Sequence, residues 1–245
     1  NDLATQAEVY KSIIDDLTQS VSLLDGFTRQ NKGMVNKYVA EGFLAYAYAA
    51  MGDDINASKA ALDIINNSGY AVTTKTDLLG GFNSLTTPSW MWGFDITNDN
   101  GMNLKSWWGQ VDIFTYSYAW AGDPKEIDLG LYAQIKDGDI RKDQFVTVNE
   151  TKDGFVTTPA DEDGDYPAVP ANKFYAPARK IGGQRTVTTD YLYMRIDEFY
   201  LLAAETLAKS GQEAQAKQIL KGFLKTRMDN VDYVDSLTGT ALQKE

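Results

Sequence analysis

The 245-residue chain contains no cysteine and no histidine. Without thiols there is no disulfide framework, so the fold stands on its packed core alone. The same two absences remove Ser-His-Asp and Cys-His nucleophiles. They also remove the usual ligands of zinc, haem and iron–sulfur centres, and no cofactor is expected. Carboxylate pairs, Lys, Tyr and Ser are what remains for chemistry. Basic residues are scarce: Lys+Arg 23 against Asp+Glu 34 leaves a formal charge of −11. Such a surface repels phosphate backbones, so nucleic-acid binding has no electrostatic support. No apolar run approaches the ~18 residues of a membrane span. There is no starting Met and no basic-then-apolar leader. The polar stretch Ser236 to Glu245 carries no terminator, so the chain reads as a piece of a longer protein or a mature chain trimmed at both ends.

What is present is an ordinary globular balance, 43% hydrophobic and 23% charged. The first sixty-odd residues read as helices. Thr5-Gln6-Ala7-Glu8 has capping-box spacing. Behind it Val9, Ile13, Leu17, Val21 and Leu24 form an apolar stripe, and Gly26 sits where a left-handed cap belongs. A second helix spans about Met34 to Met51 and is dense in small residues, among them Ala40, Gly42, Ala45 and Ala49. Gly52 ends it, Asp53 or Asp54 caps a third helix, and Gly69 closes that one.

From Tyr70 to Thr189 the period changes. Trp90, Trp92 and Phe94 alternate as on a strand, with one face expected against the helices. Gln144 to Asn149 and Phe155 to Thr158 flank Lys152-Asp153-Gly154, a hairpin turn. Residues Pro159 to Pro170, with the acidic run Asp161-Glu162-Asp163-Gly164-Asp165, read as an exposed loop. Helical signals return at Tyr191 and continue, through a break at Gly211, to about Met228.

A repeat spans the gap. An offset of 159 places Ala45 on Ala204, Ala49 on Ala208, Gly52 on Gly211 and Ala57 on Ala216. Both copies read helix, Gly turn, helix, the pattern of tetratricopeptide-like hairpins. The fold class is therefore mostly α, with helical hairpins interrupted by a long irregular, short-strand insertion. The expected organisation is one domain: residues 1–69 helical, 70–189 insertion, 190–230 helical hairpin and 231–245 tail.

All five tryptophans lie between Trp90 and Trp120. Adjacent Trp107 and Trp108 point to opposite sides of an extended segment, so one of them is expected in solvent. Neighbouring Asn103, Lys105, Ser106, Gly109 and Gln110 suggest a loop. An aromatic plane beside such groups suits a sugar, whose C–H face stacks while its hydroxyls need partners. Trp107, Trp108, Tyr116, Tyr118 and Trp120 are the candidate ligand-binding residues.

The carboxylates argue less strongly for catalysis. In Asp137-Gly138-Asp139-Ile140-Arg141-Lys142-Asp143 the bases depress pKa values, where a glycosidase acid needs one raised. That cluster reads as an ion-paired surface turn. The acidic run at 161–165 offers oxygens to calcium but lacks the full loop spacing and the distal bidentate Glu; no metal site is expected. Arg195 and Glu198 lie one turn apart and are expected to pair structurally.

Tyr193-Met194-Arg195-Ile196-Asp197-Glu198-Phe199-Tyr200-Leu201-Leu202-Ala203-Ala204-Glu205, then Gly211, Ala216, Leu220 and Lys225-Thr226-Arg227, resembles the late helical hairpin of SusD/RagB proteins. Gly33 to Gly52 and Ile64 to Tyr70 resemble the family's earlier repeat. Asp139-Ile140-Arg141 resembles its Asp-x-Arg turn, and Lys173-Phe174 its following strand. These are surface lipoproteins of Bacteroidetes that bind nutrient glycans. The resemblance implies no enzyme, but a non-catalytic binder of oligosaccharide or polysaccharide at the outer membrane. It would deliver that cargo to a TonB-dependent SusC-like transporter, with a lipid anchor on an N-terminal part not present here. Family members are longer at both ends, so a site on this chain is expected to be partial. Family aromatic contacts vary too much to carry over, so the choice among the tryptophans rests on local reasoning. A helical-repeat module for a protein partner is the alternative, and a carboxylate-dependent glycoside hydrolase is a third class.

Overall fold

A computed structural model describes residues 3–102, 107–111, 125, 127–146, 151–152, 155–156, 169–170, 173–174 and 186–245. Along the chain run α1 (Gln6–Leu23), α2 (Lys37–Met51), α3 (Asp54–Asn67) and the single-turn α4 (Lys75–Leu79). Strand β1 (Trp90–Phe94), α5 (Trp107–Val111) and α6 (Leu129–Gln134) follow. Four two-residue strands come next: β2 (Phe145–Val146), β3 (Thr151–Lys152), β4 (Phe155–Val156) and β5 (Val169–Pro170). Strand β6 (Tyr191–Arg195) leads directly into α7 (Ile196–Lys209), α8 (Glu213–Leu224) and α9 (Gly239–Lys244). The protein is mostly α, as the sequence pattern indicates.

The helix ends form where local chemistry puts them. Thr5 Oγ1 accepts from the Glu8 amide at 3.3 Å and Glu8 accepts from the Thr5 amide at 2.8 Å, completing the capping box. The Asp53 carboxylate accepts from the Asn56 amide at 3.1 Å. Gly52 and Gly211 both adopt left-handed φ, +77° and +82°, which fits them as the equivalent turns of two hairpins.

Helices α1, α2, α3, α7 and α8 pack in that spatial order. The two hairpins, far apart in sequence, thus stack through α3 and α7. Ala45, Ala57, Ala203, Ala204 and Ala216 are buried along these seams. Gly42 shows why small residues are needed: a Cβ there would lie 2.5 Å from Phe199 Cζ and 2.8 Å from Met194 Sδ. Phe199 has no room to retreat, being fully buried and stacked on Tyr46. Helix α1 is the exception to the burial its stripe suggests. It contacts α2 but buries no residue fully, and Val9 and Ile13 stay exposed.

Three expectations are corrected. Tyr191–Arg195 is a strand, antiparallel to β1, before the helix begins at Ile196. The β1–β6 register shifts at Trp92, so Trp90, Trp92 and Phe94 do not share one buried face. Trp90 packs with Phe82 and Leu85, Met91 faces the helices instead, and Phe94 is exposed. A bulge re-aims side chains that simple alternation would align. Strands β3 and β4, on either side of 153–154, do pair antiparallel, but β2 pairs with β5, inside the stretch read as a loop. The 231–245 stretch also packs back: Val231, Val234 and Leu242 join the core of Leu220, Phe223 and Leu224. The acidic run at 161–165 lies outside the described residues.

A buried polar clasp joins the elements. Asp197, fully buried in the first turn of α7, accepts from the Thr73 amide at 3.0 Å, from the Thr73 hydroxyl, and from Arg227 Nη2 at 2.9 Å. Arg227 also donates to the Thr73 carbonyl at 3.1 Å, and Thr73 Oγ1 meets Ser89 Oγ at 2.7 Å. The Ser89 carbonyl accepts from the Ile196 amide, and the Arg227 carbonyl accepts from the Ile140 amide. Arg195 lies 3.4 Å from Asp197, so that carboxylate, not Glu198, is its ionic partner. Glu198 accepts instead from the Arg195 amide and the Tyr46 hydroxyl.

Gly42→Ala overpacks by about 1–3 kcal/mol, only partly offset by the ~1 kcal/mol helix preference of Ala. The expected net result is a Tm roughly 2–4 °C lower by calorimetry. Asp197→Ala leaves Arg227 buried and unpaired and is expected to cost about 3–5 kcal/mol in urea unfolding. Adding Arg227→Met to that variant should restore part of the loss, because the orphaned charge goes with it.

Candidate functional site

Asp190 holds the β1–β6 ribbon to the neighbouring loop. Its carboxylate accepts from the Leu85 amide at 2.6 Å and the Ile96 amide at 2.9 Å, and its own amide donates to the Asn83 carbonyl. Burial nevertheless raises its pKa above the usual carboxylate value. On this ribbon rests an aromatic cluster. Trp108 stacks on Tyr191 of β6, with ring centroids 5.4 Å apart, and meets Phe174 at 5.0 Å. Trp107 sets its edge against Trp108 at 4.3 Å and Phe174 at 5.2 Å. Phe174 continues to Phe82 at 6.1 Å, and Phe82 to Trp90 at 5.3 Å.

The two adjacent indoles have separate roles. Trp107 is 47% exposed and Trp108 only 2%. The reason differs from the one read in the sequence. The pair begins a five-residue helix, not an extended loop, and Trp108 is covered because Phe174 and Tyr191 close over it. Among the described residues the Trp108 Nε1 proton has no hydrogen-bond acceptor. Trp108 is therefore the floor and Trp107 the open plane. Tyr116, Tyr118 and Trp120 lie outside the described residues, as do Asn103, Lys105 and Ser106.

Phe174 and Phe82 are the residues sequence reasoning missed. Each is a non-glycine residue with left-handed φ, +58° and +49°. The Phe174 amide donates to the Gly81 carbonyl at 2.5 Å, and Gly81 and Lys173 form a parallel bridge. Left-handed geometry costs a bulky residue about 1–3 kcal/mol, and here tertiary contacts impose it on both. The sequence marks Phe174 only as part of a strand resembling the family's, and it marks Phe82 not at all. A second aromatic group, also missed, sits over α2: Trp92 touches Phe43 at 5.7 Å and Tyr193 at 4.8 Å. Its Phe43 and Tyr193 are exposed.

The carboxylate cluster resolves into structure. Asp139 is 3% exposed, so it is not a surface group. Burial pushes its pKa up, but hydrogen bonds from the Arg141 side chain and amide outweigh this and hold it below the usual range. A carboxylate so held is unsuited to donate a proton to a glycosidic oxygen. Among the described residues no group of three His, Cys, Asp or Glu could hold a metal ion, and no helix is long and apolar enough to cross a membrane.

Comparison with known proteins places these features. The SusD family model matches residues 40–244. No curated protein matches the chain significantly. A SusD-like carbohydrate binding protein from Bacteroides vulgatus superposes with a TM-score of 0.73 at 21% identity, over 97% of this chain and 46% of that one. A SusD superfamily protein from Bacteroides thetaiotaomicron gives 0.67 at 20%, over 98% of this chain and 50% of that one. Surface glycan-binding protein A of the same species gives 0.63 at 14%, over 98% and 58%. The chain thus spans about half the length of these solved structures, and the likeness is one of fold.

If Trp108 is the floor and Trp107 the plane, truncation separates them. Trp108→Ala is expected to cost about 3–5 kcal/mol of stability. Trp107→Ala, removing a half-exposed ring, should cost well under half of that in the same denaturant titration.

Proposed function

The chain belongs to the SusD family, and from that premise we propose that it captures oligosaccharide without catalysis. The observation that carries this reading is the Trp107 indole, half-exposed and held in near-perpendicular contact by Trp108 and Phe174. A sugar C–H face stacks on such a plane, and each contact contributes roughly 1 kcal/mol beyond burial. A few contacts of this size correspond to affinities in the millimolar to micromolar range. Weak capture suits a protein that must also release its cargo. Tyr116, Tyr118 and Trp120 complete the proposed ligand set with Trp107, and Trp108 supports it.

We further propose that the protein works at the outer-membrane surface of a Bacteroidetes cell, held there by a lipid anchor. It would pass glycan to a TonB-dependent SusC-like transporter. The family and the sugar-binding neighbours from Bacteroides support this reading. The depressed Asp139 pKa supports the absence of hydrolysis at that cluster.

The test is an intrinsic-fluorescence titration against a panel of oligosaccharides. At least one should shift the tryptophan emission, and Trp107→Ala should remove most of that shift while circular dichroism is unchanged. A flat response from the folded protein would favour a protein-interaction surface instead, for which exposed Phe43 and Tyr193 offer an aromatic face. Release of shorter products from any glycan would point to an enzyme.

A further inference from the structure

Lys173 sits where a neutral sugar would not need it. Its ammonium lies 4.8 Å from the Phe174 ring centroid and 5.9 Å from that of Phe82, both within cation–π range. Phe174 is the ring against which Trp107 rests. A saccharide lying on the indole therefore has this ammonium within the length of a disaccharide. Arg195 approaches the same Phe82 ring, at 5.4 Å.

Among the described residues the charges here do not balance. Among the described residues no carboxylate lies within ion-pair distance of Lys173. Arg195 shares Asp197, its one ionic partner among the described residues, with Arg227. Glu198 is turned to the Arg195 amide and the Tyr46 hydroxyl. The chain as a whole carries −11, so a local surplus of positive charge runs against the global trend. It is also expensive to hold. Burial, with the Arg195 charge, pushes the Lys173 amine down to about 8. Phe82 and Phe174, whose rings lie beside the ammonium, both have the left-handed backbone described above. A desolvated ammonium without a carboxylate partner among the described residues, beside a half-exposed indole, points to a ligand that supplies the opposite charge.

We propose that Lys173, flanked by Phe82, Phe174 and Arg195, receives an anionic substituent of the saccharide seated on Trp107, so that the preferred ligand is an acidic glycan. The substituent is a carboxylate, as in uronic or sialic acids, or a sulfate. A charge-assisted contact from a half-buried ammonium is stronger than a neutral one and discriminates by charge. Long-range repulsion from the acidic surface is screened within about 8 Å at physiological ionic strength, so it does not bar a short-range contact. The inference rests on the proposed saccharide-binding role.

The experiment uses paired ligands: uronate-containing, sialylated and sulfated oligosaccharides, each against its carboxyl-reduced, desialylated or desulfated counterpart. In at least one pair the anionic member should bind roughly tenfold more tightly. Lys173→Gln should erase that preference while leaving the neutral member's affinity within about twofold. A second readout needs no variant. As pH is raised through about 8 the amine loses its proton, so affinity for the anionic member should fall while the neutral member's holds. The pair that responds distinguishes carboxylate from sulfate. Equal binding within every pair, or a preference that Lys173→Gln leaves intact, overturns the acidic-glycan inference and spares the binding role. Failure of every member to bind the folded protein overturns both.

Discussion

One buried carboxylate organises the molecule. Asp197 is reached by Thr73 from the end of the first hairpin, by Arg227 from the end of the second, and by Arg195 from the ribbon. Thr73, Asp197 and Arg227 have lost water, and each replaces those hydrogen bonds only if the others are in place. The helices bury the apolar surface that brings them together, but apolar contact carries little direction. The clasp carries more, since its hydrogen bonds have defined directions. It is therefore the clasp that fixes where β1 leaves, where β6 returns and how the insertion is held, the last through the Arg227 carbonyl and the Ile140 amide.

From that anchored ribbon the aromatic cluster grows outward. Trp90, Phe82, Phe174, Trp108 and Trp107 form a chain of ring contacts from the fully buried to the half-exposed. The inner rings give the outer one rigidity, since an indole braced by two others would lose little further freedom on meeting the proposed ligand. The left-handed conformations of Phe82 and Phe174 are affordable only because packing over-determines them. Helical frame and presenting surface are thus separate in sequence but mechanically continuous.

Much of the frame was legible in the residues. The Thr5–Glu8 box, the Asp53 cap and the glycines at 52 and 211 work through neighbours within a few positions, and such signals survive in the sequence. The repeat offset of 159 was legible for the same reason, two hairpins facing the same local packing problem. The strand at Tyr191–Arg195 was not. Its residues also suit a helix, and only pairing with β1 decides. Likewise the alternation of Trp90, Trp92 and Phe94 was visible while the bulge that breaks it was not.

At the proposed site the division is sharper. Composition determined that this chain offers no thiol or imidazole, and adjacency of Trp107 and Trp108 indicated that one indole would be left in solvent. Which indole, and beside which charge, was decided in three dimensions. Phe174 and Tyr191 are about seventy and eighty positions away from Trp108, and a backbone bridge from Gly81 to Lys173 brings Lys173 to the Phe82 ring. Exposure and desolvation are properties of what closes over a side chain. A linear pattern holds the side chain but not its cover, which is why the tertiary structure alone could sort platform from floor and set an ammonium beside it.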